Sequence, residues 1–234
     1  MDLSFDEFVL AAATADLDEE PAAREHADAV EFRMDMADAP LDALDRYDGD
    51  LPVIATNRAA WEGGEAPEEG RLRTLRAAAE DDAVAAIDVE LAAITGEGAP
   101  ADAVDPEDGP AAVRHAHEHD AQVVVSMHDF EATPPRKELE RLLRAASEHG
   151  DVAKLAVTAT DLDDALRVLG ATRAAASDGL TVATMAMGAA GSHTRAVAPV
   201  YGSCIGYAPV DPARATAPGQ YDLATLRTLV DGLR

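Results

Sequence analysis

The sequence predicts an α/β fold, a single (β/α)8 TIM barrel filling residues 1–234. Three observations predict it. Eight short apolar runs alternate with eight longer stretches of helical pattern. The runs are apolar along their whole length, as parallel strands covered on both faces are. No linker, repeat or low-complexity tract divides a chain whose length suits one domain. In chain order the strands are expected at 8–13, 29–34, 52–57, 84–89, 122–127, 152–157, 180–185 and 202–207. The helices are expected at 17–27, 39–46, 67–80, 109–119, 135–149, 161–176, 191–199 and 221–233. Eight such units favour closure into a barrel over the alternative, an open doubly wound sheet. Segment 95–110, rich in Gly, Pro and Asp, reads as a loop.

Composition excludes several partners. The chain carries 45 Asp and Glu against 19 Lys and Arg, a net charge of -26 that repels phosphate backbones, so no nucleic acid is expected. The acids are spread along the helical stretches and read as a solvated surface. Their mutual repulsion is best tolerated where molar salt cuts the Debye length to roughly 3 Å, which points to a salt-rich cytoplasm, as in extreme halophiles. The longest apolar runs, 121–127 and 196–210, are broken by polar, Gly or Pro residues and fall short of a membrane span. With no secretory leader pattern, a cytoplasmic protein is expected. Cys204 is the lone cysteine, so no intramolecular disulfide is available.

In a barrel, chemistry gathers where strands end, and polar residues are dense there. In EFRMD (31–35) the period of two puts Glu31, Arg33 and Asp35 on one face, charged where a buried strand tolerates charge only if it is paired or working. Asp88 and Glu90 close the fourth run. His128 ends AQVVVSM, placed as a general base and acid, and a nearby carboxylate such as Glu31 would fix its tautomer. The only lysines are Lys137, in the polar helix PPRKELERLLRAASEH, and Lys154, inside the apolar run DVAKLAVTA. Burial and cations such as Arg33 or Arg195 would favour a neutral, nucleophilic amine at Lys154; pairing with a buried acid is the bland alternative. Arg58, Arg195 and Gln220 are candidate substrate clamps, with Glu62 four residues beyond Arg58 as a possible surface partner. GAAGSHTR and TAPGQ lack a phosphate-cradling spacing and read as site loops. His115, His117 and His119 lie on a helix where only i and i+4 share a face, so at most two converge, and no metal is expected.

Taken in order, these residues resemble the type I 3-dehydroquinate dehydratases. The family's E-x-R strand is matched by Glu31 and Arg33, and its arginine with a glutamate four residues on by Arg58 and Glu62. S-x-H-D-F is matched by Ser126 to Phe130, and the lysine strand by Lys154 in KLAV. The methionines before a glycine are matched by Met185 and Met187, the carboxylate-binding arginine by Arg195, the aromatic lid residue by Tyr207, and the S-A-P-G-Q loop by Thr216 to Gln220. The chain departs where Thr216 replaces serine, Tyr207 replaces phenylalanine, Ala13 and Thr14 stand where a first-strand serine is common, and the loop before Arg195 is altered.

The resemblance implies a TIM-barrel lyase that dehydrates 3-dehydroquinate to 3-dehydroshikimate through an imine on Lys154, in the shikimate pathway of aromatic amino acid biosynthesis. In it His128 is the base, Glu31 orients His128, Arg195 holds the substrate carboxylate, and Arg33, Arg58, Met185, Tyr207, Thr216 and Gln220 line the site. No cofactor is implied, and a homodimer is. Another Schiff-base barrel of the aldolase type and a non-catalytic barrel that binds a small acid are the competing readings.

Overall fold

The computed structural model describes residues 1–100, 105–211, 213 and 219–233. Eight strands form one parallel sheet: β1 (Val9–Thr14), β2 (Ala29–Arg33), β3 (Val53–Thr56), β4 (Val84–Glu90), β5 (Gln122–Asp129), β6 (Val152–Thr158), β7 (Val182–Met187) and β8 (Ile205–Pro209). The spatial order β7-β6-β5-β4-β3-β2-β1-β8 is a barrel cut between β7 and β8. That seam is bridged by the Val182–Ser203 pair, where Cys204 N–H donates to the Val182 carbonyl at 2.7 Å. The barrel is therefore nearly closed, and each expected strand overlaps an observed one.

The connecting helices are α1 (Glu20–Ala23), α2 (Pro40–Asp45), α3 (Arg71–Ala78), α4 (Leu91–Thr95), α5 (Asp108–Glu118), α6 (Arg136–Ser147), α7 (Leu162–Ser177), α8 (Gly188–Gly191), α9 (Thr194–Val197) and α10 (Leu223–Leu233). Three expected helices are shorter than their pattern; segment 67–80 forms only α3, which starts after Gly70 at a left-handed φ of 79°. Segment 17–27 yields a 3₁₀ turn and the single turn α1, after which Asp28 reaches back to accept the Leu10 N–H at 2.8 Å. Segment 191–199 is broken because Thr194 Oγ1 accepts from Ala186 N–H of β7 at 2.9 Å and Pro199 supplies no amide to continue α9. α4, part of no expected helix, follows β4 directly and stops at Gly96, which takes a left-handed φ of 74°.

Period-two alternation divides the strand side chains into two shells. Outward residues such as Phe32, Ile87, Val125 and Leu155 meet helical residues Leu75, Leu139, Leu143 and Val168 in the larger core. On α6, Leu139, Leu143 and Ala146 recur at i, i+4 and i+7, one stripe facing the sheet. Full burial of a side chain such as Leu139 or Leu143 contributes about 1.5–3 kcal/mol. Inward residues Ala11, Ala29, Ile54, Ala86, Val124 and Val152 form a separate apolar plug, joined by Phe5 from just ahead of β1. One pleat further along the same strands, the lumen turns polar.

Candidate active site

The registers that pair Thr56 with Asp88 and Ser126 with Lys154 place these inward side chains around one level of the lumen. Lys154, buried on β6, puts Nζ 2.8 Å from Asp88 Oδ2 and 3.5 Å from Glu31 Oε1. Its Nζ also lies 4.1 Å from the centroid of the Tyr207 ring, a cation–π contact. The cations anticipated beside this amine are thus replaced by two carboxylates, because the inward positions of β2 and β4 carry acids. Glu31 accepts a further bond from Thr56 Oγ1 at 3.2 Å.

Arg58 is buried and already committed. Its guanidinium reaches Asp88 at 2.8 Å, Glu90 at 3.1 Å and Ser126 Oγ at 2.7 Å, while Ser126 donates to Asp88 at 2.6 Å. Arg71, from the start of α3, completes the row with a 2.8 Å contact to Glu90. Arg58, Arg71 and Lys154 thereby balance Asp88, Glu90 and Glu31, as buried charges require. Burial opposes ionisation of Asp88, but Arg58 and Lys154 outweigh it and hold that carboxyl well below the usual range. Burial likewise opposes the Arg58 charge, and Asp88 and Glu90 override it to raise that group further. Arg58 therefore acts first as a structural cation of the lumen, with its edge on the cavity, and not as a local surface pair with Glu62.

Glu62 serves His128. Its Oε2 lies 2.8 Å from His128 Nδ1, whereas Glu31 is engaged by Lys154 and Thr56, so the orienting role expected of Glu31 falls to Glu62. The physical reason is reach. Glu31 sits mid-strand at the level of Lys154, while Glu62 ends the 3₁₀ turn Ala60–Glu62 above it, and Gly63 reverses the chain with a φ of 79° close to the Phe130 ring. A Cβ at Gly63 would collide with that ring. Burial pushes the Glu62 carboxyl up to about 8. Burial, then Arg58 and Lys154, push the His128 imidazole well below its ordinary value, so the neutral ring is favoured.

These groups open onto one cavity, lined by Glu31, Arg33, Arg58, His128, Lys154, Met185, Tyr207, Arg195 and Gln220 together with Glu62 and Met187. Arg195, brought in by α9, lies with Nη1 3.7 Å from Met185 Sδ, and burial lowers its guanidinium to about 10. The altered loop thus still delivers Arg195 to the cavity. Arg33 meets Asp35 through two bonds, of 2.9 and 2.7 Å. Tyr207 OH is buried with no hydrogen-bond partner among the described residues. Thr216 lies outside the described residues.

The model of the family described as type I 3-dehydroquinase matches residues 9–233. This chain belongs to the type I 3-dehydroquinase family. The 3-dehydroquinate dehydratase of Haloarcula marismortui is 58% identical over 99% of both chains, and that of Halobacterium salinarum is 51% identical over 99% of this chain and 100% of its own. Among solved structures, the 3-dehydroquinate dehydratase of Geobacillus kaustophilus superposes with a TM-score of 0.82 at 28% identity, covering 97% of this chain and 91% of that one. The aldolase and binding-only readings give way to that of a type I 3-dehydroquinase. Around this cavity, Asp88, Glu90 and Arg71 are residues to which the sequence pattern assigns no role. Asp88 was legible as an inward position of AAIDVE, in step with Ala86 and Glu90, whereas Arg71 carries no signal in a helix studded with arginines.

Proposed function

We propose that this chain dehydrates 3-dehydroquinate through a Schiff base on Lys154, with His128 moving both protons. The observation that carries the reading is the convergence of a buried lysine amine, a histidine favoured in its neutral form and a guanidinium on one small cavity. The amine adds to the ring ketone and water leaves, giving an imine that acidifies the neighbouring carbon. Nζ must be neutral to attack; Asp88, held strongly ionised, fixes where the amine points, and Glu31 is the other carboxylate beside it toward which its proton can move. His128 accepts the carbon proton at Nε2, and Glu62 steadies the ring at Nδ1. The tertiary hydroxyl then departs as water with a proton from the same imidazolium, and hydrolysis of the imine frees the enone and the amine.

Arg195 and Gln220 hold the substrate carboxylate, with Thr216 as a further hydroxyl partner. Arg33 and Arg58 border the substrate hydroxyls, and Met185 and Tyr207 supply apolar walls. No cofactor enters. The test is borohydride added with 3-dehydroquinate: the wild-type chain gains mass at Lys154, and Lys154→Ala gains none and shows no rise at the enone absorbance band. Dehydration by wild-type protein without a trappable adduct would overturn the imine.

The reading extends to the setting: a homodimer in a salt-rich cytoplasm. None of the described helices is long and apolar enough to cross a membrane. Lys137 is exposed and Lys154 buried, so the one remaining surface lysine stands amid acids and arginines. Circular dichroism and turnover should both fall as salt is diluted from molar to low concentration. Equal stability in dilute buffer would remove the halophile reading.

A further inference from the structure

At the opposite end of the barrel from the active-site cavity, α3 and α5 finish side by side. Leu75, Ala78 and Ala79 of the first pack in the same core as Ala112 and Ala116 of the second, so the two helix ends are held in fixed relation. Beyond that core, Glu80 follows α3, His115 lies in the last turn of α5, and His119 caps it. The histidines stand at i and i+4, with ring centroids 4.6 Å apart, and His115 Nε2 is 3.0 Å from Glu80 Oε1. One ligand atom from each of the three falls within 4.8 Å of the others. A single helix supplies only two of its three histidines to one point; the third donor comes from 35 residues away in the chain.

We propose that Glu80, His115 and His119 bind one divalent transition-metal ion of the zinc class, tying the end of α3 to the end of α5. Four-coordinate zinc with ligands at ~2.0–2.1 Å sets donor atoms ~3.4 Å apart, so the present spacing needs only small side-chain rotations. Two imidazoles and one carboxylate suit zinc, copper or nickel; the all-oxygen preferences of calcium and magnesium are not met. The carbonyl ends of two helices and a chain charge of -26 both favour a cation there. Glu80 and His119 are exposed, which leaves room for water to complete the coordination. His117, between the two ligands, turns instead to Asp151 at 3.0 Å and lies outside the set.

The test uses Zn²⁺ alone, titrated calorimetrically into the full chain in chelator-free, high-salt buffer. The wild-type chain is expected to take up one ion per chain at micromolar concentration. His115→Ala and His119→Ala each weaken that uptake by at least ~10-fold, while His117→Ala leaves it unchanged. Zn²⁺ also raises the thermal midpoint of the wild type and not that of His119→Ala, with dehydratase turnover equal in both. Absence of uptake by the wild type in a large excess of Zn²⁺, or wild-type affinity in both ligand variants, would overturn the site.

Discussion

On β6, Val152 and Lys154 point into the same lumen one pleat apart, as do Ile54 and Thr56 on β3, Ala86 and Asp88 on β4, and Val124 and Ser126 on β5. The first of each pair belongs to an apolar plug and the second to a closed polar row in which hydroxyls bridge the charges. Same strands and same burial give two different materials, because the strand period delivers every second residue to the lumen and the chain changes character at one level. The lower level contributes stability through apolar contact alone. The upper level holds three cations against three carboxylates, an arrangement whose desolvation cost roughly cancels its attraction, so its worth lies in fixing where Lys154 and Arg58 point.

The largest contrast between the levels should appear on removing the proposed acid–base group above them. His128→Ala keeps the amine, so the borohydride adduct on Lys154 still forms, while kcat falls by ~10²–10⁴. Its folding should change little, since the His128 side chain borders the cavity and packs in neither apolar shell. Loss of the adduct together with turnover would mean that His128 positions the amine instead of moving protons.

The lower level should show the reverse. Ile54 is fully buried in the plug, and Ile54→Ala should lower the unfolding free energy by ~2–5 kcal/mol with kcat and KM held in the salt that keeps the variant folded. Denaturant titration and steady-state assay on the same preparation measure both. A variant of unchanged stability and impaired kcat would mean that the plug tunes the site above it, and the two levels would no longer be separable.

How legible these levels were depends on what signals each. The strands announced themselves as continuous apolar runs, and Glu31, His128 and Lys154 stood out because such residues are rare inside one. Partner choice was not legible: Glu31 was expected to orient His128 as a strand-borne carboxylate, while the structure uses Glu62, carried in by a 3₁₀ turn followed by Gly63. The short helices α1 and α9 were overextended and α8 was missed but for Gly191, since apolar pattern does not reveal where a side chain such as Thr194 will claim a strand's amide. Helical spacing likewise allowed two histidines to meet and gave no sign of Glu80 beside them.

The smallest effect, and the sharpest on partner choice, concerns pH. Burial raises Glu62 to about 8, whereas an unfolded glutamate ionises near ~4.3. Across that interval the folded chain keeps a proton that the unfolded chain has lost. This group's contribution to stability is therefore fully present below the unfolded value and is lost as pH rises toward about 8. Activity should run the other way. A protonated Glu62 donates to His128 Nδ1 and leaves the proton on Nε2, where no base is then available; an ionised Glu62 accepts from Nδ1–H and frees the Nε2 lone pair. In the wild type, kcat/KM should climb toward about 8 while the unfolding free energy declines, two opposed slopes with one origin. Glu62→Gln cannot ionise, so it should flatten both slopes together and lower kcat modestly. If the variant kept the rising activity limb, that limb would belong to another group and Glu62 would be only a packing partner of His128; if it lost the limb but kept the stability slope, the burial of Glu62 would not be the source of the folding penalty.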